Sequence, residues 1–431
     1  MSNNWLWKAL VLLSPYIIAS FINQRLHIRF HMKSTTSISD RVLNMQESAT
    51  LKMAGLARAL RAEGKNVINL SLGEPDFDTP EHIKEAAKKA LDDGFTKYTP
   101  VPGLPELRKA ISDKFKRDNN LAYSADQIVV SNGAKQSLAN LSLSLLNPGD
   151  EVVILAPYWV SYYEIVKLSG AKPVIVTTDI STNFKANPEQ LEAAITDKTR
   201  FILFSSPCNP TGSVYTQVEL EAMMEVIRDR EDILVVADEI YEYINFEEKH
   251  FSVGAIPFLK NRAITVNGFS KGFAMTGWRL GYIGAPEWVA KACIKIQGQV
   301  TSGANAFAQK AAAYALNAGL ESTVIMKEAY AKRKILIMDL LNEIEGMVVN
   351  DPTGAFYIFP DISAFIGKKA GDFIINNDVD FCTYILNEAH VAIVPGSAFG
   401  CSGCIRISYA ASDEEIKEAC HRIKTYLEKL T

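Results

Sequence analysis

Lys271 and Arg279 lie close together in the stretch VNGFSKGFAMTGWRLGY, residues 266–282. An apolar strand over 263–266 is expected to run in, and Asn267-Gly268 to break it. A lysine on a tight turn after a buried strand is held at a fixed point. If its surroundings are dry or cationic, its amine loses its proton more easily and becomes a nucleophile toward a carbonyl. An arginine keeps its charge at any working pH and can grip a phosphate with two parallel N–H groups. The pair therefore suits a carbonyl cofactor that carries a phosphate, such as pyridoxal phosphate (PLP). Taken alone, it also reads as two surface cations on a loop, and the rest of the chain has to decide.

The elements that would position them follow a regular rhythm. Short apolar runs fall at 128–130, 151–155, 173–177, 200–204, 233–236, 263–266 and 280–283, and helical patterns at 134–146, 158–168, 216–228 and 287–297 separate most of them. Nearly continuous apolar strands alternating with helices predict a mostly parallel sheet covered on both faces. Ligands of such sheets bind beyond the carboxyl ends of the strands. The residues after those ends are Ser131-Asn132-Gly133-Ala134-Lys135, Ala156-Pro157-Tyr158-Trp159, Ser206 to Gly212 with Asn209 inside, Asp238-Glu239-Ile240-Tyr241, and Lys271. Gly133 to Lys135 opens a helix, whose free amides suit a phosphate. Neither GxxxxGK[ST] nor GxGxxG occurs, so no nucleotide is implied. Each residue has a plainer role available: Asp238 could cap a helix, and Trp159 could be core. Their joint placement on one rim weighs against that.

Around this block, helices are expected at 39–60 (interrupted at Gln46-Glu47-Ser48), 81–92 and 104–118, with a strand at 67–72 running into Gly73. The tail reads as a smaller α+β region: a long helix over 316–341, strands at 354–358, 391–394 and 404–408, and a last helix at 414–427. Arg406 sits amid apolar residues, where it either pairs with an internal acid or faces a ligand carboxylate.

The 431 residues are too many for one simple core. A formal net charge of −4 gives no basis for a nucleic-acid partner. Six scattered cysteines suit reduced thiols better than a disulfide framework, and Cys401-x-x-Cys404 lacks the two further ligands that zinc would need. At the N-terminus an apolar run, Trp5 to Ile22, precedes a basic patch and a second methionine, Met32. Residues 1–31 read as an upstream extension ahead of a start at Met32, or else as a membrane anchor. The location expected is cytoplasmic, or membrane-attached if that anchor is real.

In order and at family spacing, SLGEPDFDTP, TKYTP, SNGAKQ, APYWVSY, SPCNPTG, VVADEIYE, NGFSKGFAMTGWRLGY and IRISYA resemble the class I aminotransferases, PLP enzymes of fold type I. The nearest likeness is to the bacterial aspartate aminotransferases of the thermophile-like subgroup. It implies an α/β fold: a large PLP-binding domain (86–318) with a mostly parallel seven-stranded sheet, and a smaller α+β domain built from both chain ends (37–85 and 319–431), after an apolar extension (1–36). It also implies roles. Lys271 resembles the lysine that forms the Schiff base with PLP and later moves the proton. Asp238 resembles the carboxylate facing the ring nitrogen, and Asn209 and Tyr241 the pair on the ring's phenolic oxygen. Trp159 resembles the stacking aromatic. Gly133, Ala134, Lys135, Ser270 and Arg279 fall in the motifs around the phosphate. Tyr98 would reach the phosphate of a neighbouring subunit, which implies a homodimer with shared active sites. Arg406 resembles the clamp on the substrate α-carboxylate, with Gly73, Asn209 and Trp159 beside it.

The substrates implied are small amino acids and 2-oxo acids. Lys135 and Ser48 match the residues credited in this subgroup with the second carboxylate, so the expected reaction is ping-pong transfer of the amino group from L-aspartate to 2-oxoglutarate. Relatives that also accept prephenate often carry a basic residue where this chain has Gln46. The alternatives are an aminotransferase for aromatic, branched-chain or prephenate substrates, and a PLP-dependent C–S lyase.

Overall fold

The computed structural model describes residues 38–246 and 249–431. The extension expected over 1–36, with its apolar run and Met32, lies outside the described residues. The chain divides into two compact units, 1–45 and 46–431. In the first, the described part holds one short helix, Asp40–Leu43.

The centre of the second unit is a seven-stranded sheet. The strands run in the order Ile128–Ser131, Gly281–Gly284, Ala263–Gly268, Leu234–Asp238, Thr199–Ser205, Glu151–Leu155 and Lys172–Val176. Gly281–Gly284 is antiparallel to both its neighbours, and every other pairing is parallel. Successive residues of a strand point to opposite faces. Accordingly Val152, Ile154, Leu203, Val236 and Ile264 enter one apolar core, while Val153, Ile202, Val235 and Ala263 enter another. Both faces are buried, which explains why the strands read as unbroken apolar runs. The register aligns Ser205 with Asp238 and Asp238 with Val266, so three parallel strands end on one rim.

A further core joins Met53, Ala57, Val67 and Leu70 to residues from Met326 to Leu430. It covers a three-stranded antiparallel sheet, ordered Val394–Pro395, Ile405–Ser408, Tyr357–Ile358. Among the described residues no helix is long and apolar enough to cross a membrane.

Several expected boundaries moved. The 263–266 strand does not break at Asn267-Gly268: it runs on to Gly268, pairing Asn267 with Tyr282 and Gly268 with Gly281. Two facing glycines allow this, since a Cβ on Gly268 would lie 2.9 Å from the Gly281 Cα. The turn that carries Lys271 starts after them. The 67–72 strand shortens to Ile68–Asn69, and 354–358 to Tyr357–Ile358. The 391–394 strand splits, because Val391–Ala392 pairs with Ile68–Asn69 while Val394–Pro395 pairs with Ile405–Arg406. The helix expected over 316–341 runs from Glu321 to Asn342, and Leu316 and Asn317 end a separate helix, Ala306–Asn317. The two helices part at Gly319, whose φ of +97° no helix accommodates. The helix expected from 158 begins at Ser161, leaving Tyr158 and Trp159 on the rim.

Candidate active site

A cavity of about 380 Å³ opens at this rim. Of the fourteen residues singled out from sequence, twelve line it: Ser48, Gly73, Ala134, Lys135, Trp159, Asn209, Asp238, Tyr241, Ser270, Lys271, Arg279 and Arg406. Gly133 stands directly behind Ala134 and against Arg279. Tyr98 is not brought in; it is 98% exposed.

Asp238 ends its strand and is buried. Its Oδ2 accepts a hydrogen bond from the Tyr162 hydroxyl at 2.7 Å, and its Oδ1 accepts from the Ile240 amide at 3.2 Å. Burial pushes its carboxyl up to about 6, against the pull of those bonds and of Lys271. The residue after it is fixed from elsewhere: Glu239 accepts from Ser252 at 2.6 Å, within a buried group that includes Asn119 and the Lys114–Glu242 ion pair.

Lys271 donates to the Gly73 carbonyl, and its Nζ lies 5.7 Å from the centre of the Tyr241 ring. Its amine is lowered to about 8, first by burial and then by the positive charges of Arg406 and Arg279; Glu74 and Asp238 oppose this. Near neutral pH a minor but substantial share of it is the free amine, which is the nucleophilic form.

The helix Ala134–Leu145 starts at Gly133, whose φ is +84°. The first amides of a helix have no partner within it. A Cβ on Gly133 would lie 2.5 Å from Arg279 Nη2, so the guanidinium lies against the helix start. Arg279 itself has a left-handed φ of +55°, and its Nη1 donates to the Thr276 carbonyl at 3.0 Å. A Cβ on Gly281 would collide with the Ala134 amide nitrogen. Gly281 was not singled out from sequence, yet its bare backbone is what lets the helix start reach the rim. Gly281→Ala is expected to destabilise the protein by about 1–3 kcal/mol through overpacking. It should also weaken PLP binding by about tenfold as the amides shift; equilibrium dialysis of the apoprotein measures this.

On the opposite wall Arg406 is buried. Its Nη1 donates to Asn209 Oδ1 at 2.9 Å and its Nη2 to the Ser71 carbonyl at 2.5 Å. The guanidinium carbon lies 4.6 Å from the Tyr357 ring centre and 4.9 Å from that of Phe399. No carboxylate among the described residues pairs with it, and its Nε has no partner. Of the two roles open from sequence, pairing with an internal acid is thereby ruled out among the described residues. Tyr357 also shares a 2.6 Å hydroxyl contact with Tyr241. Lys135 Nζ lies 4.9 Å from the Trp159 ring centre, and burial together with Arg279 lowers its amine.

Sequence reasoning missed Tyr162, Tyr357, Glu74 and Thr276, all in the cavity wall. Glu74 and Thr276 are joined by a side-chain hydrogen bond. The one signal for Tyr162 was its place in the first turn of a helix that leaves the rim.

The donor set fits PLP on its own chemistry. A buried amine of lowered basicity stands with a buried carboxylate, unpaired helix amides beside an arginine, and an indole. Ser205 Oγ, a buried hydroxyl in the cavity wall, has no partner among the described residues.

Residues 65–423 match the model of the family described as aminotransferase class I and II. The chain is 46% identical over 392 residues to the aspartate/prephenate aminotransferase of Cereibacter sphaeroides, covering 90% of this chain and 98% of that one. The solved aspartate aminotransferase from Rhizobium meliloti superposes with a TM-score of 0.89 at 44% identity, over 92% of this chain and all of that one (100%). That from Thermus thermophilus with maleate gives 0.85 at 40% identity, over 91% and 100%.

Proposed function

The chain belongs to the class I and II aminotransferase family, and from that premise we propose that it moves the amino group of L-aspartate to 2-oxoglutarate, yielding oxaloacetate and L-glutamate. The cofactor of this family is PLP. The observation that carries the choice of substrate is the charge of the cavity. Lys135, Lys271, Arg279 and Arg406 line it, against Glu74 and Asp238. One phosphate accounts for part of that excess, and a dicarboxylate accounts for the rest. The Thermus relative was solved with a dicarboxylate, maleate.

Bound here, PLP supplies an electron sink for the pair left when the substrate Cα–H bond breaks. The chain's residues do the remainder. Lys271, as free amine, would take the Cα proton of aspartate in the first half-reaction and would deliver a proton to the Cα of the nascent glutamate in the second. Asp238 would keep the ring nitrogen protonated, and Asn209 and Tyr241 would hold the phenolic oxygen. Trp159 would cover the ring face. Gly133, Ala134, Lys135, Ser270 and Arg279 would hold the phosphate. Arg406 grips the α-carboxylate beside Gly73 and Asn209, while Lys135 and Ser48 meet the second carboxylate.

Tyr98, exposed and outside its own cavity, is proposed to complete the site of a second copy in a homodimer. The boundaries at 85/86 and 318/319 are proposed as the limits of a large and a small domain. A cytoplasmic location is proposed because all six cysteines are free thiols, as a reducing compartment keeps them.

Arg406→Ala is expected to raise the KM for aspartate by about two orders of magnitude, since truncating a buried group that pairs with a charge costs about 2–5 kcal/mol. The turnover number should change far less. An unchanged KM would remove Arg406 from the substrate site. The reaction itself is tested by giving the loaded enzyme L-aspartate and no oxo acid. One oxaloacetate should be released per site, and release should then stop until 2-oxoglutarate is added. No oxaloacetate from aspartate, with product from an aromatic or branched-chain donor instead, would refute the assignment. Prephenate belongs in the same assay as an acceptor, because a relative that carries it in its name is 46% identical. Gln46 is exposed and outside the cavity wall.

A further inference from the structure

Cys401 and Cys404 stay outside the reaction just described, but they lie beside its substrate clamp. Their Sγ atoms are 3.9 Å apart. Both backbones are tied to one residue: the Cys401 amide donates to the Gly396 carbonyl at 3.1 Å, and the Gly396 amide donates to the Cys404 carbonyl at 2.8 Å. A Cβ on Gly396 would collide with the Cys401 carbonyl oxygen and lie 2.5 Å from that of Cys404. Gly400, just before Cys401, and Gly403, just before Cys404, both have positive φ, +79° and +81°. Cys401 is partly exposed, and Cys404 is buried against Phe399 and Phe359.

We propose that Cys401 and Cys404 form a reversible dithiol–disulfide site, closed by exchange with a low-molecular-weight disulfide of the glutathione class. The Cys401 thiolate attacks one sulfur of glutathione disulfide, breaking its S–S bond and releasing one glutathione thiolate. In the reduced pair the hydrogen bond to Cys401, with burial, holds the Cys404 thiol well above its ordinary range. Once the Cys401 sulfur is in the mixed disulfide that thiolate is gone, and Cys404 gives up its proton to solvent and attacks the Cys401 sulfur, releasing the second glutathione. The protein dithiol loses two electrons, and the glutathione disulfide gains them. The neighbouring Cys404 thiol holds Cys401 below its ordinary range, which favours the attacking thiolate. The other cysteines are unsuited to attack: burial pushes Cys208 and Cys382 up, and Cys293 and Cys420 up to about 12.

Closure bears on substrate binding. Phe399 precedes Cys401 by two residues and Arg406 follows Cys404 by two, and the Phe399 ring stacks on the Arg406 guanidinium. Drawing the sulfurs from 3.9 Å to about 2 Å pulls both flanks of the clamp. This consequence rests on the role given to Arg406 above.

The test equilibrates the PLP-loaded full chain against buffers of rising glutathione disulfide to glutathione ratio. Peptide mass mapping should find a Cys401–Cys404 link that a strong dithiol reductant reverses. The KM for aspartate should rise about tenfold in step with the link, while turnover at saturation changes little. Cys401→Ser should keep its basal activity and lose the response. Absence of the link at the oxidising end, or an equal response in Cys401→Ser, would overturn the site. A reversible link with an unchanged KM would overturn only its coupling to Arg406. The mapping does not use the aminotransferase reaction, so it stands or falls separately from the substrate assignment.

Discussion

Lys271→Ala should fold, bind PLP without a covalent link, and lose turnover by roughly 10²–10⁴-fold from the missing proton transfer alone. The fold should persist because the Lys271 side chain makes one hydrogen bond, to the Gly73 carbonyl, in a turn held by the paired Asn267 and Gly268. PLP should still bind because the helix start at Gly133, Arg279 and Asp238 are untouched. Borohydride treatment followed by dialysis separates the two species: it fixes the cofactor on the parent protein and should leave it removable from the variant. The parent offers a further check. Its amine is lowered to about 8, so capture of PLP by the apoprotein should quicken as pH rises toward 8 and level off above it. A variant with parental turnover, or a parent whose capture rate ignores pH, would show that another group does this work.

Where single residues follow the strand ends of a buried sheet, their placement on one cavity was legible from the sequence. The strands are unbroken apolar runs because both faces are covered, and their observed limits lie within two residues of those expected. Once the sheet is parallel, residues after the strand ends must share a rim, and Lys271, Asp238 and Asn209 do. The features that escaped depend on contacts between distant segments. Two facing glycines, Gly268 and Gly281, carry a strand past a dipeptide that normally ends one. Helix Ala306–Asn317 buries mostly alanines, including Ala308, Ala311, Ala312 and Ala315, so it shows little apolar contrast. Tyr357 lies in a run of apolar residues and reads as core, which it is. Its second role, touching both Tyr241 and Arg406, exists only because the segment 355–358 meets the strand of Arg406 and the turn of Tyr241, two distant parts of the chain. Tyr98 is of another kind: its motif implied the site of a neighbouring subunit, and a single chain shows only that it is exposed and outside its own cavity.

Asp238→Asn is expected to move activity and apoprotein stability in opposite directions. The side chain keeps its shape: the amide oxygen can still accept from Ile240, and the Tyr162 hydroxyl can turn to accept from the new NH₂. What disappears is the charge. Turnover should fall by roughly 10²–10³-fold, the size of effect seen when one preorganised electrostatic partner is removed. The apoprotein should gain. In the fold the Asp238 carboxyl is raised from 3.8 to about 6, so the native state holds that proton more tightly than the unfolded chain. Stability linked to this group is therefore full below 3.8, falls as pH rises between 3.8 and about 6, and stays lost above. At neutral pH the cost is about 3 kcal/mol, and the neutral asparagine does not bear it. Denaturant melts of the two apoproteins should thus differ at pH 7, with the variant the more stable, and should converge as pH drops below 6. With PLP present the order should reverse if Asp238 has the role proposed for it, because the ring nitrogen would pair with the aspartate charge and not with the amide. An apoprotein weakened by the substitution at neutral pH would mean that Asp238 is there for the fold; one that is strengthened while turnover collapses marks a carboxylate held at a cost for its cofactor.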